Sequence, residues 1–201
     1  MSWKEMSWKK KREVRLRYDA EADAYDELYL EEQTIKYELA LHRIVYSGTD
    51  RILDCGCGTG IFLEKVVGSI QFAVGVDLSS KMVERAKLRL GQISNVDLVC
   101  ADIDSLPFSE ATFGQVFMFT VLPSDTDWDN AISEAMRVLR TDGIMTISIP
   151  KKETSSKEVL RKLRTNRLEL RELLNENTTL DYVVVGKKTR KTIRKTEPSS
   201  P

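Results

Sequence analysis

A chain of 201 residues that is 41% hydrophobic and 31% charged has the balance of one ordinary globular domain, not of a disordered or membrane protein. Its 31 basic and 31 acidic residues cancel, but unevenly: residues 1–17 and 187–201 each carry a balance of +5, which leaves −10 for the body between them. No run approaches the roughly 18 consecutive apolar residues of a membrane span, and charges stand where a signal peptide would be apolar, so a cytoplasmic location is expected. Three cysteines make no disulfide framework and read as free thiols.

Residues 1–17 read as a basic arm, which could touch nucleic acid but is better explained as a solvated terminus. From Tyr18 to Tyr46, apolar groups recur at helical spacing with acids between them, predicting two helices before the first strand. Ser47-Gly48-Thr49-Asp50 ends that pattern. Short apolar runs then alternate with amphipathic segments. Strands are expected at Arg51–Asp54, Phe72–Asp77, Val96–Cys100, Phe113–Thr120 and Gly143–Ile149. Helices are expected at Gly60–Val67, Ser80–Leu90 and Trp128–Leu139. Strands joined by helical crossovers imply a parallel, doubly wound sheet covered on both faces. After a helix at Ser156–Leu163, Leu168–Leu173 and Asp181–Val185 would complete seven strands with an antiparallel hairpin, although the first of them could equally continue a helix. The body is taken as 18–186, and 187–201 as a basic, disordered tail.

The stretch Ile52 to Leu63 is an apolar strand, a turn with glycine at alternate positions (Gly56, Gly58, Gly60), and an apolar helix. At the carboxyl end of a first strand this lays bare backbone against a ligand, and a nucleoside-type cofactor is the natural occupant. The third glycine comes one residue sooner than in the dinucleotide pattern, and Asp54 precedes the first. An acid there suits a cationic amino group better than a pyrophosphate. The next strand ends in Asp77, placed to accept from both ribose hydroxyls. The strand after it runs into Asp102 and Ile103, an acceptor for an exocyclic adenine amine and an apolar face for the ring.

These residues resemble the class I S-adenosylmethionine-dependent methyltransferases, in the small-domain group that includes ubiquinone/menaquinone-biosynthesis-type enzymes. The likeness rests on LDCGCGTG at 53–60, VGVDLSSKMVERAK at 74–87, ADIDSLPF at 101–108 and the stretch 113–143, and it extends over roughly 18–186. It implies the Rossmann-like methyltransferase fold and S-adenosylmethionine as cofactor. Asp54, Gly56, Gly58 and Gly60 would then surround the methionine part, Asp77 the ribose, and Asp102 with Ile103 the adenine, with Cys55, Leu78 and Thr120 also counted among the cofactor-binding residues. Tyr25 takes the position of an aromatic lid, and half-buried helix packing is its other reading. Two places depart from the family pattern: Gly114-Gln115 in the fourth strand and Arg140-Thr141-Asp142-Gly143 before the fifth.

Displacement at an activated methyl needs alignment and exclusion of water more than an obligatory dyad, so no catalytic base is assigned. Thr120 lines the place where an acceptor would meet the methyl group. Asp125 and Asp127 could orient a nucleophile but read better as helix-start acids. The end of the fourth strand lacks the motif used on exocyclic amines. No cysteine stands at the substrate edge, and His42 with Cys55 and Cys57 makes no metal set. The expected acceptor is a small metabolite. RNA reached through the basic termini, a cofactor-fold scaffold without turnover and a nicotinamide-dependent oxidoreductase are the alternatives. Any protein partner is left open.

Overall fold

The computed structural model describes residues 3–44, 50–122, 128–164 and 168–190. The apolar runs form β1 (Arg51–Cys55), β2 (Phe72–Asp77), β3 (Val96–Cys100), β4 (Phe113–Phe119), β5 (Leu139–Pro150), β6 (Leu168–Leu174) and β7 (Asp181–Lys188). They join into one seven-stranded sheet in the order β3-β2-β1-β4-β5-β7-β6. The first five strands are parallel, and β7 lies antiparallel to both β5 and β6. The helices are α1 (Trp3–Glu21), α2 (Tyr25–Leu41), α3 (Ile61–Val66), α4 (Ser80–Leu90), α5 (Asp129–Val138) and α6 (Ser156–Leu163).

Strand β4 is buried along its whole length, as expected of a central strand covered on both faces. One apolar cluster joins Val116 and Met118 of β4 to α5 and α6. The other joins Phe117 and Phe119, on the alternate face, to α2 and α3. The chain order reverses between β1 and β4, so their carboxyl ends border the crevice in which ligands of such sheets bind. Among the described residues, no helix is long and apolar enough to cross a membrane.

Three boundaries differ from the sequence reading, and one alternative it left open is closed. Helix α1 begins at Trp3 and runs unbroken across position 17, the expected edge of a basic arm. It is tied to the body: Lys11 bridges Asp102 and Asp104 at 2.6 Å each, and Asp19 accepts from the Ser79 hydroxyl. Strand β5 starts four residues early, with a bulge where Phe113 pairs Leu139 but Gln115 pairs Ile144. Leu168–Leu174 is a strand, not a continued helix; Leu168 packs over Gly186 of β7, where a Cβ would lie 2.6 Å from its Cγ. Strand β7 continues to Lys188, two residues into the expected tail, and 191–201 lie outside the described residues.

The two departures from the family pattern meet at the far edge of the sheet. Asp50 accepts from Gln115 Nε2 at 3.0 Å and from Arg140 at 3.2 Å, and the Arg140 guanidinium lies where a side chain on Gly114 would go. They are structural partners at the amino end of β1, opposite the crevice.

Candidate functional site

The turn after β1 has three glycines in the left-handed region, with φ of 78° at Gly56, 53° at Gly58 and 84° at Gly60. The amides of Gly56 and Cys57 both donate to the Val76 carbonyl, so the turn is strapped to β2. What the missing side chains make room for differs from the sequence expectation. A Cβ on Gly56 would fall 2.0 Å from Val121 Cγ1, and one on Gly60 would meet Leu90 at 2.9 Å. Close packing of the protein accounts for both. At Gly58 the nearest atom is Tyr25 Cε1 at 3.8 Å, which leaves bare backbone under an aromatic ring.

Two acids stand beside the turn. Asp54 is 2% exposed, and burial, with the nearby Asp77 charge, pushes its carboxyl up to about 8. Among the described residues no cation pairs with it. Asp77 is also raised by burial, opposed by hydrogen bonds from the Ser79 and Gly58 amides at 2.8 and 3.0 Å. The Leu78 amide bonds it as well, which leaves part of the carboxylate's acceptor capacity open. Asp102 follows β3 at the same edge, as expected, but it is engaged twice. It accepts from the Asp104 amide as a turn former and from Lys11 of α1. Leu78 and Ile103 are half-buried beside these acids. Leu78 also lines a cavity of about 390 Å³ whose other walls are Trp8, Lys9, Lys11, Arg12 and Arg15 of α1.

Tyr25 sits over the turn because the start of α2 is anchored there. Thr59 donates to Asp26 at 2.6 Å, and Arg89 of α4 bonds Asp26, Glu64 and the Thr59 carbonyl. Tyr18, Tyr25 and Tyr29 form a chain of rings, with centroids 6.2 and 4.8 Å apart. Burial raises the Tyr25 hydroxyl far above its ordinary range, so it stays protonated.

The inner face of α2 carries groups that the sequence reading did not single out. Lys36 is fully buried, with its ammonium 2.9 Å from Asp181 of β7, 3.1 Å from Glu32 and 2.8 Å from Thr120 Oγ1. Ser148 of β5 donates to the same Asp181 oxygen at 2.8 Å and accepts from the Thr120 amide. Thr120 has φ of 56°, a conformation that L residues adopt only when their surroundings over-determine it. Here α2, β5 and β7 do so, and the bend brings Val121 against Gly56. The signal in the sequence was a lysine in register with Tyr29, Gln33, Tyr37 and Ala40 on an apolar helical stripe. Gln33 is 5% exposed; its amide nitrogen donates to the Tyr25 hydroxyl at 3.3 Å, and its carbonyl oxygen has no partner among the described residues.

The structure therefore brings Tyr25, Asp54, Cys55, Gly56, Gly58, Gly60, Asp77, Leu78, Asp102, Ile103 and Thr120 to the carboxyl edge of β1 to β4. Cys55 and Cys57 are buried free thiols, and burial raises both. No group of three or more potential metal-binding side chains occurs among the described residues. Asp125 and Asp127 lie outside them.

Residues 52–143 match the family model described as a methyltransferase domain. The chain is 30% identical over 155 residues to the malonyl-[acyl-carrier protein] O-methyltransferase of Halorhodospira halophila, covering 75% of this chain and 50% of that one. It is 37% identical over 103 residues to the ubiquinone/menaquinone biosynthesis C-methyltransferase of Haemophilus ducreyi, covering 48% and 40%. The chain spans about half the length of the curated relatives it matches. Among solved structures, the chain bound to the Trm112 methyltransferase activator in a Haloferax volcanii complex superposes with a TM-score of 0.75 at 18% identity, covering 86% of this chain and 98% of that one.

Proposed function

From a chain whose residues 52–143 belong to the methyltransferase-domain family, and whose sheet is that of the class I S-adenosylmethionine-dependent methyltransferases, we infer a methyltransferase that uses S-adenosylmethionine. The observation that carries this reading is Asp54: a buried carboxyl with no cation beside it, at the mouth of a glycine turn and at the reversal point of the sheet. Such a group is completed by a cationic ligand. When bound, S-adenosylmethionine supplies an electrophilic methyl group on a positively charged sulfur.

Asp54 would hold the amino group, and the backbone of Cys55, Gly56, Gly58 and Gly60 would floor the methionine part. Asp77 has lone pairs left for the ribose hydroxyls. Leu78 and Ile103 offer apolar surface for the adenine, and Asp102 would accept from it once Lys11 shares or yields its place. Tyr25 covers Gly58 and excludes water, and Thr120 faces the acceptor side. We assign no general base.

The acceptor we favour is a small metabolite, because one relative named above is a C-methyltransferase of ubiquinone/menaquinone biosynthesis, the other methylates a malonyl group on acyl-carrier protein, and the chain has a compact body. One observation supports RNA as a second reading: Trp8 is 63% exposed beside Lys9, Arg12 and Arg15, an aromatic group among cations next to the cofactor edge. A protein partner comparable to the activator of the Haloferax complex is a further proposal. The deciding experiment incubates the chain with methyl-labelled cofactor and fractionated extract. Label in a metabolite, in RNA or in protein selects among these acceptors. Binding of S-adenosylhomocysteine with no labelled product would support the scaffold reading, and tighter binding of NAD would return the oxidoreductase. Asp77→Ala should weaken S-adenosylhomocysteine by about ten- to a hundredfold, as expected for a lost pair of charge-assisted bonds; unchanged affinity would move the ribose elsewhere.

A further inference from the structure

Buried polar atoms in folded proteins are nearly always paired, so an orphan that touches a candidate site calls for a ligand. Gln33 supplies one. Its carboxamide nitrogen is used by Tyr25, its side chain is almost wholly enclosed, and its oxygen has no donor among the described residues. Leaving that oxygen empty carries a desolvation cost that a purely structural residue, such as methionine or leucine, would avoid.

Its neighbours identify the missing donor. One helical turn after Gln33 come Lys36 and Tyr37; two turns before it comes Tyr25, whose ring lies on the bare backbone of Gly58. The Tyr37 hydroxyl, on the same buried face of α2, is raised by burial and by the field of Asp54. Acids outnumber cations here. Lys36 is consumed by Asp181 and Glu32, while Asp54 and Asp77 have no opposing cation among the described residues. A cationic hydrogen-bond donor therefore suits the Gln33 oxygen, and an anion does not. The sulfonium of the proposed cofactor carries charge but no N–H, whereas its α-ammonium carries three.

We propose that Gln33 is a cofactor-binding residue whose side-chain oxygen accepts a hydrogen bond from the α-ammonium of the methionine moiety, opposite Asp54. The assignment rests on the methyltransferase reading and specifies a residue contributed by α2, outside the stretch matched by the family model. It also gives the Lys36 network a use: by pinning α2 to β4 and β7, it holds Gln33 at a set height over the turn.

Calorimetry with two probes tests this. S-Adenosylhomocysteine carries the amino-acid moiety, and 5′-methylthioadenosine lacks it. Gln33→Met removes the acceptor at similar length together with the bond to Tyr25, and Gln33→Glu loses the same bond but keeps an acceptor and adds charge. The expected result is that Gln33→Met weakens S-adenosylhomocysteine at least tenfold and leaves methylthioadenosine within twofold. Gln33→Glu should keep S-adenosylhomocysteine within threefold of the wild type, and Gln33→Met should unfold no earlier than the wild type because it removes a buried orphan. Equal loss of both probes in Gln33→Met would make Gln33 a general structural residue and overturn the assignment. So would unchanged S-adenosylhomocysteine affinity, or a loss in Gln33→Glu as large as in Gln33→Met, which would mean that the cofactor presents its carboxylate there. Failure of the wild-type chain to bind either probe would instead overturn the cofactor reading itself, and this assignment with it.

Discussion

Asp54 makes the cofactor reading testable through protons alone. With its carboxyl half-ionised at about pH 8, roughly one molecule in ten is ionised at pH 7 and one in a hundred at pH 6. A cation seated beside it binds the ionised form. Affinity for S-adenosylhomocysteine should therefore climb about tenfold per pH unit, ~1.4 kcal/mol, between pH 6 and 7, then flatten as pH passes 8. At pH 7 each binding event should release close to one proton, which calorimetry in two buffers of different ionisation enthalpy measures directly. Without ligand the sign is opposite. The folded state holds a proton that the unfolded chain has lost above about pH 4, so this group's contribution to stability declines from there toward pH 8. Asp54→Asn keeps the side-chain volume and removes the titration, and its residual affinity should be flat over the same range. A wild-type affinity that is constant from pH 6 to 8, with no proton release, would refute the claim that the ligand's charge meets this carboxyl.

Two further predictions concern the frame around the site. Lys36→Met should destabilise the chain by about 3–5 kcal/mol in urea titration, because it strands a buried carboxylate, whereas Lys36→Met/Asp181→Leu should lose less than the single change; additive losses would show that the two charges do not act as a pair. Gly56→Ala should cost about 2–5 kcal/mol, combining left-handed strain with a 2.0 Å collision with Val121, and Gly58→Ala only about 1–2 kcal/mol from strain. Gly58→Ala should nevertheless be the one that loses S-adenosylhomocysteine affinity per molecule folded, and equal stability losses would contradict the packing account of Gly56.

Local pattern carried the strand-turn-helix frame from Arg51 to Leu90, with boundaries within about a residue, because each element there has a clean apolar period and a turn signal at its end. The same pattern placed Asp54, Asp77 and Asp102 at one edge, since parallel crossovers bring successive carboxyl ends to the same side. It failed or stayed open where a decision depended on a distant partner. Nothing local in 1–17 says that Lys11 will find Asp102 and Asp104, about ninety positions later, so a docked helix read as a solvated arm. Leu168–Leu174 has both a helical and an extended pattern, and Gly186 of the neighbouring strand resolves it. Lys36, Ser148 and Asp181 are unremarkable in their own segments. They become a network only when α2, β5 and β7 converge on Thr120. The sequence by itself thus determined the glycine turn, the order of the acids beside it and the parallel sheet beneath, all consequences of short-range periodicity and backbone freedom. The tertiary structure alone decided which glycines are packed against other side chains, which acid is already paired and which polar group of α2 is left without a partner among the described residues, because pairing and burial depend on contacts between residues far apart in the chain.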